Sequence, residues 1–179
     1  QFVMVESSGK KILTRFSSKD AKLFKVREPE MPLWGVKARN AFQSAAIDLL
    51  LDDRISLVSL VGIAGTGKTL LALACALAKT IDERKYAKIL VSRPIVPLGQ
   101  DIGYLPGSKE QKLSHWMQPV FDNLEFLTSS GTNDNYRSSE FLLDAKYIEL
   151  EAVTYIRGRS LPKQFMIIDE AQNLTPHEV

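Results

Sequence analysis

The chain has 179 residues, of which 45% are hydrophobic and 25% charged, and its formal net charge is +2. This composition is ordinary for a globular protein with a hydrophobic core, and the near-neutral charge does not by itself indicate a nucleic-acid-binding protein. The single cysteine, Cys75, excludes an internal disulfide and fits a reducing compartment, so we expect a cytoplasmic protein. The apolar run at residues 70–78 is too short to span a bilayer, and no membrane association is expected.

The first 33 residues predict a small β-structure and a linker. Apolar residues alternate on both sides of a Ser-Gly pair, which predicts a β-hairpin with strands at residues 2–6 and 11–16. Two prolines, Pro29 and Pro32, then indicate an extended linker.

Beyond the linker, helix-like and strand-like segments alternate. A helix is predicted from Ala41, with Asn40 as its N-cap, and residues 68–79 predict a helix that is apolar nearly all round and therefore buried. Residues 109–127 and 139–145 predict two further helices. Buried strands are predicted from apolar runs that begin at Ile55 and cover residues 87–92, 147–158 and 164–169. This alternation predicts an α/β fold with a parallel β-sheet flanked by helices.

The segment GIAGTGKT, residues 62–69, matches the phosphate-loop pattern G-x-x-x-x-G-K-[ST] between a predicted strand and a predicted helix. Glycines admit backbone conformations that a Cβ would forbid, and the N–H groups of residues 64–69 can then converge on phosphate oxygens. Lys68 supplies positive charge to the β- and γ-phosphates, and Thr69 offers a hydroxyl to Mg²⁺. A glycine-rich turn without a ligand is the alternative. The predicted ATP-binding residues of this segment are Gly62, Ala64, Gly65, Thr66, Gly67, Lys68, Thr69 and Leu70.

Acidic residues follow the last predicted strand. Asp169 follows four apolar residues and is therefore predicted to lie at the carboxyl end of that strand, where ligands bind in open α/β sheets. Asp169 is therefore predicted to hold Mg²⁺ together with Thr69, and Glu170 is predicted to polarise an attacking water. Without the phosphate loop upstream, the same two acidic residues would indicate only the start of a solvated loop.

Two glutamines refine the prediction. Gln172 places an amide two residues after Glu170, where it can sense the γ-phosphate, as motor ATPases require, so we count it with Lys68 and Glu170 as catalytic. Gln43 precedes the phosphate loop, and its amide can read N6 and N7 of adenine. Taken alone, Gln43 would be interpreted as a polar surface residue.

The segments SRPIVPLGQDIGYLPGSKEQKL, WMQPVFDNLEFL, TYIRGRSLP and DEAQNLTPHEV strongly resemble the PhoH family of P-loop ATPases, which are related to superfamily 1 helicases. The resemblance runs from residue 34 to residue 179 and separates an N-terminal unit, residues 1–33, from a PhoH-like domain, residues 34–179. It implies a RecA-like fold, ATP hydrolysis with Mg²⁺, action on single-stranded RNA, and assembly in a ring, commonly a hexamer. The family's association with phosphate starvation names a response and supplies no mechanism.

The resemblance also implies roles for three arginines. Arg93 lies in the segment that corresponds to a nucleic-acid-contacting part of helicases, so it is predicted to contact RNA phosphate. Arg157 and Arg159 are predicted to contact RNA or the nucleotide of a neighbouring subunit. Ordinary surface solvation or ion pairing is the alternative for all three. Residues 99–107 contain no basic side chain and are predicted to form a subunit interface.

The resemblance further implies what surrounds this segment. In bacterial two-domain relatives a PIN ribonuclease domain precedes the ATPase, and the hairpin resembles the connecting segment. No acidic cluster with PIN-like spacing is present, so nuclease activity is not inferred. Because the chain begins at Gln1 and the family continues beyond residue 179 with a strand that carries a polar sensor, we expect a C-terminally incomplete piece whose own turnover is an open question.

Three functions therefore compete. The leading interpretation is the ATPase module of an RNA-acting, helicase-like protein. A P-loop small-molecule kinase would need an acceptor pocket and an arginine-bearing lid, and it would not explain Gln172. A scaffold that uses ATP only to fix its oligomeric shape is the third. His115 and His177 lack partners at ligand spacing, so neither is predicted to bind a metal.

Overall fold

The computed structural model describes residues 1–7, 9–94, 116–130, 138–156 and 158–178. The predictions for residues 99–107, Arg157 and His115 lie outside the described residues.

The N-terminal part is a three-stranded antiparallel sheet in the order β1-β2-β3, formed by Phe2–Ser7, Lys10–Ser17 and Lys22–Lys25. The first two strands confirm the predicted hairpin. The third strand was not predicted, because four residues are too few to show the alternation that identifies a strand.

The N-terminal sheet is anchored to helix α1, Ala41–Leu51, by charged groups. Arg15 forms ion pairs with Asp48, at 3.2 Å between Nη1 and Oδ2, and with Asp52. The backbone N–H of Arg27 also donates to Oδ1 of Asp48 at 2.9 Å. The Asp48 side chain is only 4% exposed, and a carboxylate buried to that degree requires such partners.

Helix α1 begins as predicted. Asn40 has an extended backbone, and its side-chain oxygen accepts a hydrogen bond from the backbone N–H of Gln43 at 3.0 Å. This is the N-cap geometry that satisfies one of the unpaired donors at a helix start. The cap also fixes where Gln43 lies relative to the linker before it.

The second sheet is parallel and confirms the predicted fold class. Its strands are β4 (Lys88–Arg93), β5 (Ile148–Ala152) and β6 (Gln164–Ile168), in the order β5-β4-β6. The central strand is the most buried, with Ile89, Leu90, Val91 and Ser92 fully inaccessible. The carboxyl ends of β4 and β6 are neighbours, and the residues after them leave the sheet at one edge.

The prediction of a strand that begins at Ile55 is wrong for this structure. Residues 55–61 belong to no strand, and the side chains of Leu57 and Val61 are 87% and 94% exposed. A strand needs a neighbour for its backbone donors and acceptors, and among the described residues no strand pairs with this run.

The helices surround the parallel sheet and supply most of the core. They are α2 (Lys68–Leu77, continued by a π-helical turn at Ala78–Asp82), α3 (Gln118–Ser130), α4 (Ser139–Asp144) and α5 (Val153–Ile156), with a 3₁₀ turn at Ala171–Asn173. Every residue from Leu71 to Ile81 is buried, as its apolar sequence predicts, and α2 packs against α1, α3 and β6. The run at residues 147–158 forms β5 and α5 rather than one strand.

Trp34 is buried in the same core, and its indole N–H donates to Oδ2 of Asp82 at 3.1 Å. None of the helices in the described ranges is both long enough and apolar enough to cross a membrane.

Candidate functional site

The phosphate loop meets helix α2 at a pair of glycines in left-handed conformations. Gly65 has φ +75° and Gly67, the N-cap of α2, has φ +83°. An L side chain rarely adopts these angles, so the loop geometry requires glycine at both positions. Helix α2 therefore presents its N-terminus, which attracts anions, at the end of the loop.

Lys68 lies folded along the phosphate loop. Its ammonium donates to the backbone carbonyls of Gly62 and Ile63, each at 2.9 Å, and the hydroxyl of Thr66 donates to the same Ile63 carbonyl at 2.9 Å. The charge of Lys68 is thus held within the loop. It is therefore available to phosphate oxygens, which bind an ammonium more strongly than a neutral carbonyl does.

Thr69 and Asp169 meet although 100 residues separate them in the chain. The hydroxyl of Thr69 donates to Oδ1 of Asp169 at 2.8 Å, and the backbone N–H of Asp169 donates to the carbonyl of Ser92 at 2.9 Å. The second contact fixes Asp169 at the carboxyl end of the sheet, where the sequence places it. The two predicted Mg²⁺ ligands are therefore adjacent.

The donor set at Thr69 and Asp169 fits Mg²⁺. Both side chains offer oxygen, the ligand that this hard cation prefers. The described ranges contain no group of three or more His, Cys, Asp or Glu side chains that could enclose a metal. Mg²⁺ commonly uses one or two protein ligands together with phosphate oxygens and waters, and this pair matches that pattern.

Glu170 has an unusual backbone and a fixed side chain. Its φ is +54°, a left-handed conformation that costs a non-glycine residue about 1–3 kcal/mol, and it caps the 3₁₀ turn. The amide of Gln172 donates to Oε2 of Glu170. The structure thus brings Gln172 to Glu170 itself, a contact that its position in the sequence did not indicate.

Arg93 lies beside these carboxylates. Its Nε is 3.7 Å from Oδ2 of Asp169, and one terminal nitrogen is 3.9 Å from Oε1 of Glu170. Arg93 and Asp169 are distant in sequence, and they come together because β4 and β6 are neighbouring strands. Whether Arg93 also contacts RNA stays a prediction.

Gln43 joins the start of α1 to the phosphate loop. Its Oε1 accepts from the backbone N–H of Arg39 at 2.7 Å, and its Nε2 donates to the carbonyl of Thr66 at 3.1 Å. These two bonds define the direction of the amide, with the oxygen towards the linker and the nitrogen towards the loop. Gln43 therefore contacts the phosphate loop directly, and its contact with adenine stays a prediction.

A cavity of about 210 Å³ lies beside the phosphate loop. Gln43, Thr66 and Leu70 line one side of it, and Phe126 of α3 reaches it from another element. Phe126 and Arg39 also line this cavity, and the sequence analysis did not predict either of them. Nothing in the local sequence pattern distinguishes Phe126 from the apolar residues of the same helix. A cavity of about 200 Å³ between residues 27–38 and α1 contains no residue of either motif, so we assign no ligand to it.

Of the two later arginines, only Arg159 can be compared with the site. Arg159 is exposed and forms an ion pair with Glu151 of β5, and its contact with RNA or a neighbouring subunit stays a prediction. Arg157 lies outside the described residues. His177 is exposed and lies in no group of metal ligands among the residues described.

Comparison with known proteins identifies the family of this chain. Residues 35–179 match the family described as PhoH-like protein. The chain belongs to the PhoH family. Over 147 residues it is 57% identical to Protein PhoH2 of Bacillus subtilis, covering 82% of this chain and 33% of that protein. It is 43% identical over 155 residues to Protein PhoH2 of Mycolicibacterium smegmatis, covering 86% and 34%.

A protein named only PhoH-like, from Synechocystis, is 36% identical over 120 residues, covering 66% of this chain and 34% of that protein. The PhoH chain described here therefore spans about one third of the length of these curated relatives.

Proposed function

We propose that this PhoH domain binds ATP with Mg²⁺ and hydrolyses it, and that hydrolysis drives binding or unwinding of single-stranded RNA in a cytoplasmic, ring-shaped assembly. The contact between Thr69 and Asp169 carries the proposal, because it joins the phosphate loop to the acidic strand end across 100 residues. A glycine-rich turn without a ligand has no need for a carboxylate at this position.

Each residue then has a defined task. Lys68 binds the β- and γ-phosphates, and Thr69 and Asp169 hold Mg²⁺, which neutralises charge on the phosphates. Glu170 orients and deprotonates a water, and Gln172 keeps the Glu170 carboxylate in place through the hydrogen bond already formed.

The base is selected by Gln43. A glutamine amide has two N–H donors and two acceptor lone pairs, and one of each is used by Thr66 and Arg39. The remaining donor and acceptor match N7 and N6 of adenine. Guanine presents acceptors at both O6 and N7, so the amide oxygen of Gln43 would face an acceptor in either orientation of the amide.

RNA and ring assembly rest on the likeness to helicases and on the candidate contacts at Arg93, Arg157 and Arg159. A preceding PIN domain in the full-length protein rests on the same likeness. The kinase alternative is less favoured because Gln172 binds Glu170, an arrangement that a group transfer to a small acceptor does not require. The scaffold alternative predicts ATP binding without turnover.

Steady-state ATP turnover with and without single-stranded RNA tests the proposal, on the full-length protein and on this segment. We expect turnover by the full-length protein that RNA stimulates. We also expect Glu170→Gln to retain bound ATP while lowering turnover by about a hundredfold, because an amide keeps the shape but cannot accept the proton. Turnover unchanged by Glu170→Gln would remove the proposed base, and bound ATP without any turnover by wild type would favour the scaffold.

A further inference from the structure

Arg93 ends the central strand of the parallel sheet at the point where the acidic segment begins. Ser92 is opposite Ile168 in the register of β4 and β6, so the next residues, Arg93 and Asp169, leave the sheet side by side. The backbone bond from Asp169 to Ser92 fixes this arrangement. The proximity of the two charged side chains is therefore set by the backbone.

The two carboxylates share a pattern of contacts. In Asp169, Oδ1 accepts from Thr69 and Oδ2 faces Arg93 at 3.7 Å. In Glu170, Oε2 accepts from Gln172 and Oε1 faces Arg93 at 3.9 Å. Each carboxylate thus has one oxygen held by a neutral donor and one oxygen turned towards the same guanidinium.

Arg93 is itself held in place by Trp116. One terminal nitrogen donates to the Trp116 carbonyl at 3.0 Å, and the guanidinium carbon is 6.0 Å from the centre of the Trp116 ring, within the range of a cation–π contact. The Arg93 side chain is only 18% exposed. A solvated surface arginine with a role only towards RNA would need none of these contacts.

We infer that Arg93 is a positioning residue of the nucleotide site. Its guanidinium holds the carboxylates of Asp169 and Glu170 in the arrangement that hydrolysis requires, and its charge lowers the affinity of Asp169 for a divalent cation. The distances are those of charge pairs rather than of a bidentate hydrogen bond, so the effect is chiefly electrostatic. This inference rests on the proposed ATPase function and differs from the RNA contact, because it concerns turnover without RNA.

The test uses Arg93→Ala and Arg93→Lys in the full-length protein, without RNA. We expect Arg93→Ala to lower kcat about tenfold or more, while the dissociation constant for metal-free ATP changes less than about threefold. Mn²⁺ binding, followed by electron paramagnetic resonance with a non-hydrolysable ATP analogue, should become about threefold tighter or more, because a positive charge is removed. Arg93→Lys should restore the Mn²⁺ affinity and only part of kcat, since it keeps the charge but its single ammonium cannot face both carboxylates and the Trp116 carbonyl as the guanidinium does.

Lys88→Ala is the matched control. Lys88 begins the same strand and forms a partly buried ion pair with Glu149 at 2.7 Å, at the end of the sheet away from the site. It should leave kcat and Mn²⁺ affinity unchanged. A kcat for Arg93→Ala within twofold of wild type, or weaker or unchanged Mn²⁺ binding, would overturn the inference. Absence of turnover in wild type would instead contradict the ATPase proposal, and the Mn²⁺ titration would still test Arg93.

Discussion

At the scale of single residues, the roles of Gln43 and Arg93 depend on partners that are distant in sequence. Gln43 is a single amide on an exposed helix start, and only the bonds to Arg39 and Thr66 give its amide a direction. Arg93 is one basic residue among many, and only strand pairing brings it to Asp169. The chemistry of the phosphate-loop residues is predictable because a local pattern determines it. For Gln43 the sequence predicted a contact with adenine but not the bonds to Arg39 and Thr66, and for Arg93 it predicted a contact with RNA phosphate but not the nearby carboxylates.

Gln43→Ala should narrow the difference between ATP and GTP affinity by about 1–3 kcal/mol, because the amide that favours adenine is lost. Calorimetric titration of wild type and Gln43→Ala with ATP and with GTP measures the two affinities. Gln118→Ala removes an amide that bonds to Asp122 within α3, and it should leave the preference for ATP over GTP unchanged. An ATP preference that survives in Gln43→Ala would assign base selection to another group.

At the scale of elements, the strand predictions were correct where an apolar or alternating segment has a partner strand beside it. The hairpin, β4 and β6 are examples, and the Asn40 cap was identified because its signal lies within three residues. The run from Ile55 carries the same apolar signal but has no partner strand in the part of the chain that the structure describes. The composition of an apolar run cannot show whether it forms a strand, because that depends on whether another strand lies beside it to pair with.

Helix α3 contributes Phe126, which is 49% exposed, to the wall of the cavity beside the phosphate loop. We expect Phe126→Ala to weaken ATP binding about threefold or more, because a base loses an aromatic surface to pack on. Phe141→Ala is the control, since Phe141 is similarly exposed on α4 and does not line the cavity. Equal effects of the two substitutions on ATP affinity would show that Phe126 has no special role.

At the scale of the whole molecule, the N-terminal sheet and the α/β part are joined through Arg15 and two carboxylates of α1. Hydrogen bonds from Arg54, and then from Arg15, hold the pKa of Asp52 well below its usual range. A carboxyl whose pKa is lowered in the folded state stabilises that state above its unfolded pKa, near 3.8, and loses this contribution as the pH falls further.

Asp52→Asn should therefore lower the melting temperature at pH 7, and the difference from wild type should shrink as the pH is reduced below about 4. Melting curves followed by circular dichroism between pH 7 and pH 2 measure this. Asp144→Asn, at the exposed end of α4, should have little effect at any pH. A difference between wild type and Asp52→Asn that stays constant with pH would contradict the account of this junction.

Binding of ATP and Mg²⁺ to wild type and to Lys68→Ala, measured by calorimetry, tests the central claim most directly. The claim is that residues 62–69 and Asp169 form one ATP site. Wild type should bind one ATP per chain. Lys68→Ala should bind ATP at least about tenfold more weakly, because a charge-assisted contact to phosphate is lost. The fold should survive, since the described bonds of the Lys68 ammonium go to loop carbonyls, and Lys85→Ala should bind ATP as wild type does. No ATP binding by wild type, or equal affinity in Lys68→Ala, would contradict the claim.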